Sequence, residues 1–260
     1  MWVFLNGRFV EETQACVPIH DRGFLYGDGV FETMRVYNGR LFRAAAHLQR
    51  MVAGLRYLDI QPRLASEELL AVLRVLIVRN RVGDGVARIY QTRDSLLVQA
   101  RAQEFAAREL TVVVSNVVVD PQLSKFKTAN RLPYILAQQH AQRHGADEAL
   151  LLGSQGQAVE LTTCNIFAVF DDELWTPPLS DGALPGVTRA AVLELARSLR
   201  MKVREQSFRP SRLEEANEAF ATNSLVEIAP IRNWSKTNRV TTRLQKAFRE
   251  LVEREIEASR

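Results

Sequence analysis

The sequence has little cysteine and no long apolar segment. Its two cysteines, Cys16 and Cys164, lie far apart among 260 residues. They cannot build a disulfide framework and have no metal-ligand spacing, which predicts a reducing, cytoplasmic location and no metal site. No segment approaches the roughly 18 apolar residues that cross a membrane. The start, MWVFLNGRFVEE, also lacks the apolar core of a signal peptide, so we expect no membrane partner.

Charge of one sign is not concentrated anywhere in the chain. The net charge is +4, and the arginines are distributed along the sequence. We therefore expect no nucleic-acid partner, whereas the same balance suits anionic small molecules. The apolar fraction of 47% and the charged fraction of 25% are those of an ordinary globular protein.

The N-terminal part of the chain alternates turn signals with apolar patterns. Asn6-Gly7 and Asn38-Gly39 each separate two apolar runs, which is typical of β-hairpins. AAAHLQRMVAGLRYL and ASEELLAVLRVLIVRNRV have helical spacing, and Ser66 is the predicted N-cap of the second helix. GVARIYQTR and ELTVVVSNVVV have the composition of strands. These patterns predict an N-terminal α+β domain over residues 1–117.

A connector and a second patterned region follow. Residues 118–122, around Pro121, are the predicted linker, and residues 123–260 are the predicted second domain. The second region alternates predicted helices, such as RLPYILAQQHAQRHG and TRAAVLELARSLR, with short apolar strands. The sequence therefore predicts a two-domain architecture of the α+β or α/β class, and the cleft between two such domains is a common ligand site.

Two ionisable residues have more than one interpretation. Lys127 precedes Thr-Ala-Asn-Arg near the start of a predicted helix, and it is either a solvated charge or a buried reactive amine. Glu160 interrupts the apolar strand residues of AVELTTCNIF. A half-buried carboxylate is costly without a partner. Glu160 therefore either faces solvent or accepts a hydrogen bond from a buried protonated heterocycle.

A turn followed by a helix start forms a candidate anion site. GALPGVTR leads through Pro185 and Gly186 to a helix expected to start near Thr188, where the free N–H groups of Val187 and Thr188 favour an anion. Arg189 in the first turn is unfavourable against the helix dipole, and a bound phosphate would offset that cost. The alternative is a capped surface helix with a solvated arginine.

Two further groups are candidates for contacts with an anion. Thr222, Asn223 and Ser224 follow an apolar residue of a predicted strand, where they would form a cap or turn or donate hydrogen bonds to the same anion. Arg43, His47 and Arg50 lie on one face of a predicted helix. That face is either solvated or directs one of its basic side chains inward.

Together these stretches resemble the pyridoxal-phosphate enzymes of fold type IV. The stretches DRGFLYGDGVFETMRVYNGRLFRAAAHLQRM, KTANRL, GADEALLL, VELTTCNIF, TPPLSDGALPGVTR and ATNSL occur in the order and spacing typical of that group. The group includes branched-chain aminotransferases, D-amino acid transaminases and 4-amino-4-deoxychorismate lyase. The resemblance implies a smaller N-terminal α+β domain and a larger C-terminal pseudo-barrel α/β domain, with the cofactor in the cleft.

The resemblance also implies roles for individual residues. Lys127 matches the Schiff-base lysine that holds pyridoxal phosphate and later moves a proton. Glu160 matches the carboxylate that keeps the pyridine nitrogen protonated. The further cofactor contacts implied are Arg50, Val187, Thr188, Asn223 and Ser224.

The same resemblance bears on the reaction. Thr33 in FETMRV and Arg131 in KTANRL are typical of the lyases, in which Thr33 would assist proton transfer as pyruvate leaves and 4-aminobenzoate forms. The Gly-rich, Arg-containing loop that binds substrate carboxylates in this group is replaced by DSLLVQARAQEFAAREL. Tyr26 and Arg93 are the substrate contacts that the resemblance implies.

These features predict 4-amino-4-deoxychorismate lyase of the folate pathway. The alternative is a transaminase of branched-chain or D-amino acids that uses 2-oxoglutarate. A non-catalytic binding protein is a third hypothesis, in which Lys127 and Glu160 would have no chemical role. Members of the group are dimeric, so the resemblance further implies a homodimer that takes a small amino substrate.

Overall fold

The computed structural model describes residues 1–258 and divides them into two units. The first unit contains Met1–Phe105, Phe126–Arg131 and the described residues from Val252 onward, and the second contains Ala106–Lys125 and Leu132–Leu251. The segment around Lys127 thus belongs to the first unit, although both of its flanks belong to the second. The predicted division into residues 1–117, 118–122 and 123–260 contains no such return, and it stays a prediction.

A six-stranded antiparallel sheet is the centre of the first unit. Its strands are β1 Trp2–Leu5, β2 Arg8–Glu11, β3 Gly29–Tyr37, β4 Arg40–Leu41, β5 Gly85–Thr92 and β6 Leu96–Ala102, in the order β2-β1-β6-β5-β3-β4. The residues at both predicted Asn-Gly turns have positive φ, as two-residue hairpin turns require. The two predicted hairpins are confirmed.

Three helices accompany this sheet, namely α1 Arg22–Tyr26, α2 Ala44–Tyr57 and α3 Ser66–Arg79. Buried and partly exposed side chains alternate along β3. Its buried residue Met34 packs in one hydrophobic cluster with Leu48 of α2 and Leu73 of α3. One face of β3 therefore carries the core of the unit, and the other face is available for polar chemistry.

The start of α3 lies one residue earlier than the sequence predicts. Ala65, not Ser66, is the N-cap residue. The Ala65 N–H donates to Glu68 Oε2 at 2.7 Å, which satisfies one of the free amides at the helix start. The predicted cap at Ser66 is wrong because the returning carboxylate of Glu68 selects the preceding residue.

Two sheets form most of the second unit. The strands are β7 Val112–Val118, β8 Glu148–Leu152, β9 Ala158–Leu161, β10 Asn165–Phe170, β11 Glu173–Thr176, β12 Val203–Glu205, β13 Glu218–Asn223 and β14 Glu227–Pro230. One sheet has the order β7-β8-β9 and the other has the order β12-β11-β10-β13-β14. Strand β10, NIFAVF, is buried along its whole length, as a strand covered on both faces is.

Three further helices are α4 Leu132–Arg143, α5 Val187–Ser198 and α6 Arg239–Ala258. The carboxylate of Glu218 in β13 accepts the N–H groups of Val240 and Thr241 and so caps the start of α6. The combination of helices with three sheets confirms the predicted mixed α+β class. No helix within residues 1–258 is both long enough and apolar enough to cross a membrane.

Candidate active site

Backbone hydrogen bonds hold the Lys127 segment against β3. The Phe31 N–H donates to the Lys127 carbonyl at 2.9 Å, and the Ala129 N–H donates to the Gly29 carbonyl at 2.8 Å. The Lys127 Nζ lies 4.6 Å from the centroid of the Phe31 ring, within the range of a cation–π contact. The amine is therefore positioned over an aromatic ring and is not a freely solvated charge.

Glu32 joins two residues of α2 on the core face of β3. Its Oε1 accepts a hydrogen bond from Arg50 Nε and its Oε2 accepts one from Arg50 Nη2, both at 2.7 Å. Oε2 also lies 2.7 Å from His47 Nδ1. Glu32 and His47 are buried and Arg50 is nearly so. A bidentate pair of this kind is the geometry in which a buried carboxylate is tolerated.

The protonation of this cluster follows from its contacts. Burial raises the pKa of Glu32, but the charge and hydrogen bonds of Arg50, assisted by His47, outweigh burial and lower the pKa to about 2. Burial is also the main reason that the pKa of His47 is lowered, and Arg50 and Lys127 add repulsion. Because an ionised carboxylate only accepts hydrogen bonds, a neutral His47 donates to Glu32 through Nδ1.

Two of the three basic residues predicted on one helix face point inward. His47 and Arg50 reach Glu32, whereas Arg43 Nη2 donates to Glu255 Oε1 at 2.9 Å. The sequence left open whether one of the three reaches inward, and the structure shows a shared carboxylate partner for two. The assignment of Arg50 to the cofactor phosphate stays a prediction.

The opposite face of β3 carries Thr33 beside Phe31, because alternate residues of a strand share a face. Across the sheet Phe31 pairs with Tyr90 and Thr33 pairs with Arg88, and the Phe31 and Tyr90 rings stack with centroids 5.5 Å apart. We call the surface formed by Phe31, Thr33, Arg88 and Tyr90 the Phe31 face. Thr33 thus shares a face with the ring that Lys127 covers, and its catalytic role stays a prediction.

The two predicted substrate residues lie at the ends of α1 and β5. Tyr26 is the last residue of α1 and is 66% exposed, with the Arg22 guanidinium 5.2 Å from its ring centroid. Arg93 directly follows β5 and donates to the carbonyls of Leu58 and Asp59 at 3.2 and 3.0 Å. The backbone therefore engages the guanidinium of Arg93, and the substrate roles of both residues stay predictions.

Glu160 is a buried acceptor in the second unit. It lies in β9 and is 5% exposed. The Tyr134 hydroxyl donates to Oε1 at 3.1 Å, and the Leu184 N–H donates to Oε2 at 2.9 Å. The solvent-facing interpretation of Glu160 is therefore excluded, and the carboxylate is held in one orientation inside the protein.

The start of α5 has the features of an anion site. Gly186 is the N-cap residue of the helix, and it provides no side-chain cap for the first amides, which include those of Val187 and Thr188. Gly186 packs so closely on Asn165 that a Cβ at this position would overlap Asn165 Oδ1. Asn165 pairs across the sheet with Thr222. Among residues 1–258, the buried Oγ1 of Thr222 has no hydrogen-bond partner.

Asn223 and Ser224 lie at the end of β13, directly after Thr222. Asn223 Oδ1 accepts the N–H groups of Leu225 and Val226 at 2.7 and 2.8 Å. The Asn223 side chain thus shapes the turn that contains Ser224, which is the turn interpretation left open by the sequence. Contacts of Asn223 and Ser224 with a cofactor stay predictions.

Arg189 has a protein partner instead of the expected anion. Its Nη2 donates to the Pro177 carbonyl at 3.0 Å and to Glu205 Oε2 at 2.9 Å. The residue is buried, so the alternative of a solvated surface arginine is also wrong. Glu205 offsets the unfavourable charge at the helix start, so a bound phosphate is not needed for that purpose.

These residues fit pyridoxal phosphate. An uncapped helix start beside the unpartnered, buried hydroxyl of Thr222 suits a phosphate group. The buried carboxylate of Glu160 suits a protonated ring nitrogen, and the positioned amine of Lys127 suits a carbonyl carbon. No cluster of three or more His, Cys, Asp or Glu side chains that could bind a metal occurs in the described part of the chain.

Sequence reasoning missed Glu32 as the residue that organises the core face of β3. The available signal was its position in the strand, because Glu32 lies on the same face as the apolar residues Val30, Met34 and Val36. A carboxylate on the buried face of a strand requires a buried partner. Asn165 and Tyr134 were also missed, and no local pattern distinguishes them from ordinary polar residues.

Comparisons with known proteins place the chain in one family. The family model described as amino-transferase class IV matches residues 29–234. A putative branched-chain-amino-acid aminotransferase of Methanocaldococcus jannaschii is 32% identical, with 96% of each chain covered. A D-alanine aminotransferase of Staphylococcus aureus is 27% identical, with 96% of this chain and 98% of the relative covered.

Solved structures show the same fold. A branched-chain amino acid aminotransferase from T.th., solved with pyridoxamine 5'-phosphate, has a TM-score of 0.90 at 26% identity and covers 96% of this chain and 93% of its own. A putative 4-amino-4-deoxychorismate lyase from Legionella pneumophila has a TM-score of 0.86 at 27% identity, with 92% and 96% covered. The chain therefore belongs to the class IV amino-transferase family and is a pyridoxal-phosphate-dependent enzyme.

Proposed function

We propose that the protein transfers an amino group from a branched-chain or D-amino acid to 2-oxoglutarate. The observation that carries this proposal is the position of the Lys127 Nζ, held 4.6 Å from the Phe31 ring centroid by backbone bonds to β3. The names of the curated relatives in M. jannaschii and S. aureus support amino transfer as the reaction.

The roles of the residues follow from their chemistry. When bound, pyridoxal phosphate supplies a carbonyl carbon for the amino group and a ring that accepts electrons from the substrate Cα. Lys127 holds the cofactor and then moves the Cα proton. Glu160 accepts a hydrogen bond from the ring nitrogen. The remaining proposed contacts are with the phosphate and involve Arg50, Val187, Thr188, Asn223 and Ser224.

The second candidate is release of pyruvate and 4-aminobenzoate from 4-amino-4-deoxychorismate. The observation that favours it is Thr33, whose position on the Phe31 face supplies a hydroxyl on the same side of the sheet as the Lys127 amine. A hydroxyl there can assist proton transfer to a leaving group. The Legionella structure described as a putative lyase adds support for this candidate.

Covalent attachment of the cofactor tests the assignment of Lys127. Borohydride reduction of the cofactor-loaded protein should leave a pyridoxyl mass on the peptide that contains Lys127. Lys127→Ala should lose this label together with turnover, while Lys125→Ala, an exposed lysine two residues away, should retain both. Labelling at any other lysine, or full turnover in Lys127→Ala, would refute the assignment.

The acceptor requirement separates the two reactions. Purified protein is incubated with 4-amino-4-deoxychorismate alone, and separately with a panel of L- and D-amino acids with and without 2-oxoglutarate. We expect glutamate to form from the amino-acid panel only when 2-oxoglutarate is present. Release of pyruvate and 4-aminobenzoate without an acceptor would instead establish the lyase.

We also propose that the protein is a homodimer. Several of its exposed apolar residues lie in one short segment that includes Ile19 and Phe24, and such a segment is a candidate interface. The cytoplasmic location stays a prediction that rests on the sparse, unpaired cysteines.

A further inference from the structure

A buried carboxylate of the second unit, that of Glu148, has no part in the roles proposed so far. Glu148 lies in β8 and is 3% exposed. Its Oε1 contacts the Thr163 hydroxyl, and its Oε2 contacts the Thr162 hydroxyl and accepts the Thr163 N–H at 3.1 Å. A buried carboxylate is costly unless it is paired or hydrogen-bonded. The uncharged donors that meet this requirement both belong to the connection between β9 and β10.

The same connection holds the side-chain amide of Asn223. Asn223 Nδ2 donates to the Thr163 carbonyl at 3.2 Å and to Cys164 Sγ at 3.1 Å, and it lies 3.5 Å from Thr163 Oγ1. Because a carboxylate only accepts hydrogen bonds, the Thr163 hydroxyl donates to Glu148. The oxygen of this hydroxyl is then left to accept from the Asn223 nitrogen. Thr163 therefore links the buried carboxylate to the end of β13.

The other end of the Asn223 amide shapes the turn that follows β13. Its Oδ1 accepts the N–H groups of Leu225 and Val226, and this turn contains Ser224, a proposed phosphate contact. An amide can present its oxygen to the turn only if its nitrogen points the other way. The contacts that hold Nδ2 at Thr163 therefore also fix the turn that carries Ser224.

The position of these contacts in the sheet connects them with the proposed phosphate site. Thr163 lies two residues before Asn165, and Asn223 directly follows Thr222, which pairs with Asn165. Among residues 1–258 the buried Thr222 hydroxyl has no hydrogen-bond partner, and such a group indicates that a further molecule binds there. Gly186, at the start of α5, packs on the Asn165 side chain. The contact between Thr163 and Asn223 thus adjoins the residue pair that borders the uncapped helix start.

We propose that Glu148 is a positioning residue for the phosphate site and acts through Thr163 and Asn223 on the turn that contains Ser224. This inference rests on the proposed function, in which Ser224 contacts the cofactor phosphate. Both groups of Thr163 that face Glu148 are donors, so an amide at position 148 would direct its NH₂ group against one of them. The effect of that change should be confined to molecules that carry the phosphate group.

The contribution of the phosphate to cofactor binding tests this role. The protein is titrated with pyridoxal phosphate and, separately, with pyridoxal, which lacks the phosphate. Borohydride reduction and peptide mass spectrometry give the fraction of Lys127 that is labelled. The half-saturating concentration of pyridoxal divided by that of pyridoxal phosphate measures what the phosphate adds. We expect Glu148→Gln to lower this ratio about 5- to 10-fold, about the effect of one hydrogen bond, by weakening the binding of pyridoxal phosphate alone.

Substitutions at Thr163 give a second test and a matched control. Thr163→Val removes the hydroxyl that donates to Glu148 and should lower the ratio as well, whereas Thr163→Ser keeps the hydroxyl and should retain the ratio of the unmodified protein. Thr163 is exposed, so the valine variant decides if Glu148→Gln does not fold. Glu214→Gln removes an exposed carboxylate of the same unit and should change neither half-saturating concentration.

The possible failures are distinguishable. A normal label on Lys127 with an unchanged ratio in Thr163→Val, or with equal weakening of both aldehydes, would refute the role of Glu148 alone, because a general loss of stability affects both aldehydes alike. A loss in Thr163→Ser as large as that in Thr163→Val would show that the hydroxyl is not the cause, and it would also refute this role. Absence of a label on Lys127 in the unmodified protein would instead refute the proposed function.

Discussion

Glu32 determines how two side chains of α2 are oriented. Arg50 is bound through two parallel hydrogen bonds and His47 through one, and both partners leave the carboxylate no contact with water. Since Arg50 is also a proposed phosphate contact, Glu32 would act as a positioning residue that fixes the guanidinium before the cofactor arrives. Breaking the ion pair between Glu32 and Arg50 should therefore first lower the free energy of unfolding.

We predict that Glu32→Gln destabilises the protein by about 3 kcal/mol or more, because removing one partner of a buried ion pair leaves the other charge uncompensated. The free energy of unfolding from urea denaturation measures this. Glu250→Gln is the control, because it removes an exposed carboxylate 3.9 Å from Lys246 and should cost about 0.5 kcal/mol or less. A loss below about 1 kcal/mol in Glu32→Gln would contradict the prediction.

At the scale of elements, the start of α5 depends on a close approach that only glycine permits. Gly186 has φ −65°, an ordinary value, so the requirement is space and not backbone conformation. A methyl group there would meet Asn165 Oδ1. The helix start would then have to move away from Asn165 and from the unpartnered hydroxyl of Thr222, which lies opposite it in the sheet.

We predict that Gly186→Ala raises the Kd for pyridoxal phosphate by about 10-fold or more, because displacing the first amides of α5 weakens their alignment with the phosphate. Overpacking of this kind costs about 1–3 kcal/mol, and about 1.4 kcal/mol corresponds to that factor. Fluorescence titration measures the Kd. Gly83→Ala, where a Cβ meets nothing within 4 Å, should leave it unchanged, and an equal Kd in both variants would rule the displacement out.

Most elements were predictable because they depend on local chemistry. Asn-Gly pairs favour positive φ wherever they occur, and the spacing of apolar residues in α2 is visible in the sequence. The start of α3 was placed one residue late because an Ala N-cap has no side-chain signal. The return of Phe126–Arg131 to the first unit depends on backbone pairing with Gly29 and Phe31, which no local pattern contains.

The candidate site was predictable only in part for the same reason. Lys127 and Glu160 were identified through motifs that resemble a family, not through their own surroundings. The pairing of Glu32 with His47 and Arg50 joins a strand to a helix, and the unpartnered hydroxyl of Thr222 becomes visible only when every neighbour is placed. Long-range polar partners of this kind leave no periodic trace in a sequence.

At the scale of the whole molecule, one short segment of the chain carries several exposed apolar side chains. The exposed residues in this stretch are Val17, Ile19, Phe24, Leu25 and Tyr26, with Ile19 84% and Phe24 73% exposed. Single apolar residues on a surface are ordinary, but several exposed apolar residues close together in the sequence are a candidate interaction site. The proposed occupant is a second copy of this chain.

We predict that light scattering after size exclusion gives about twice the 29.4 kDa mass of one chain, and that Phe24→Glu shifts the protein toward the monomer. A charge placed in the centre of an apolar interface is desolvated without a partner, whereas the exposed position of Phe24 means that the folded chain itself should lose little stability. Val78→Glu is the control, because Val78 is 76% exposed on α3, outside this stretch, and should leave the mass unchanged. If the unmodified protein is a monomer, or if Phe24→Glu remains a dimer, this stretch is not the dimer interface. If both glutamate variants dissociate the protein, added charge alone explains the effect, and Phe24 has no special part in the assembly.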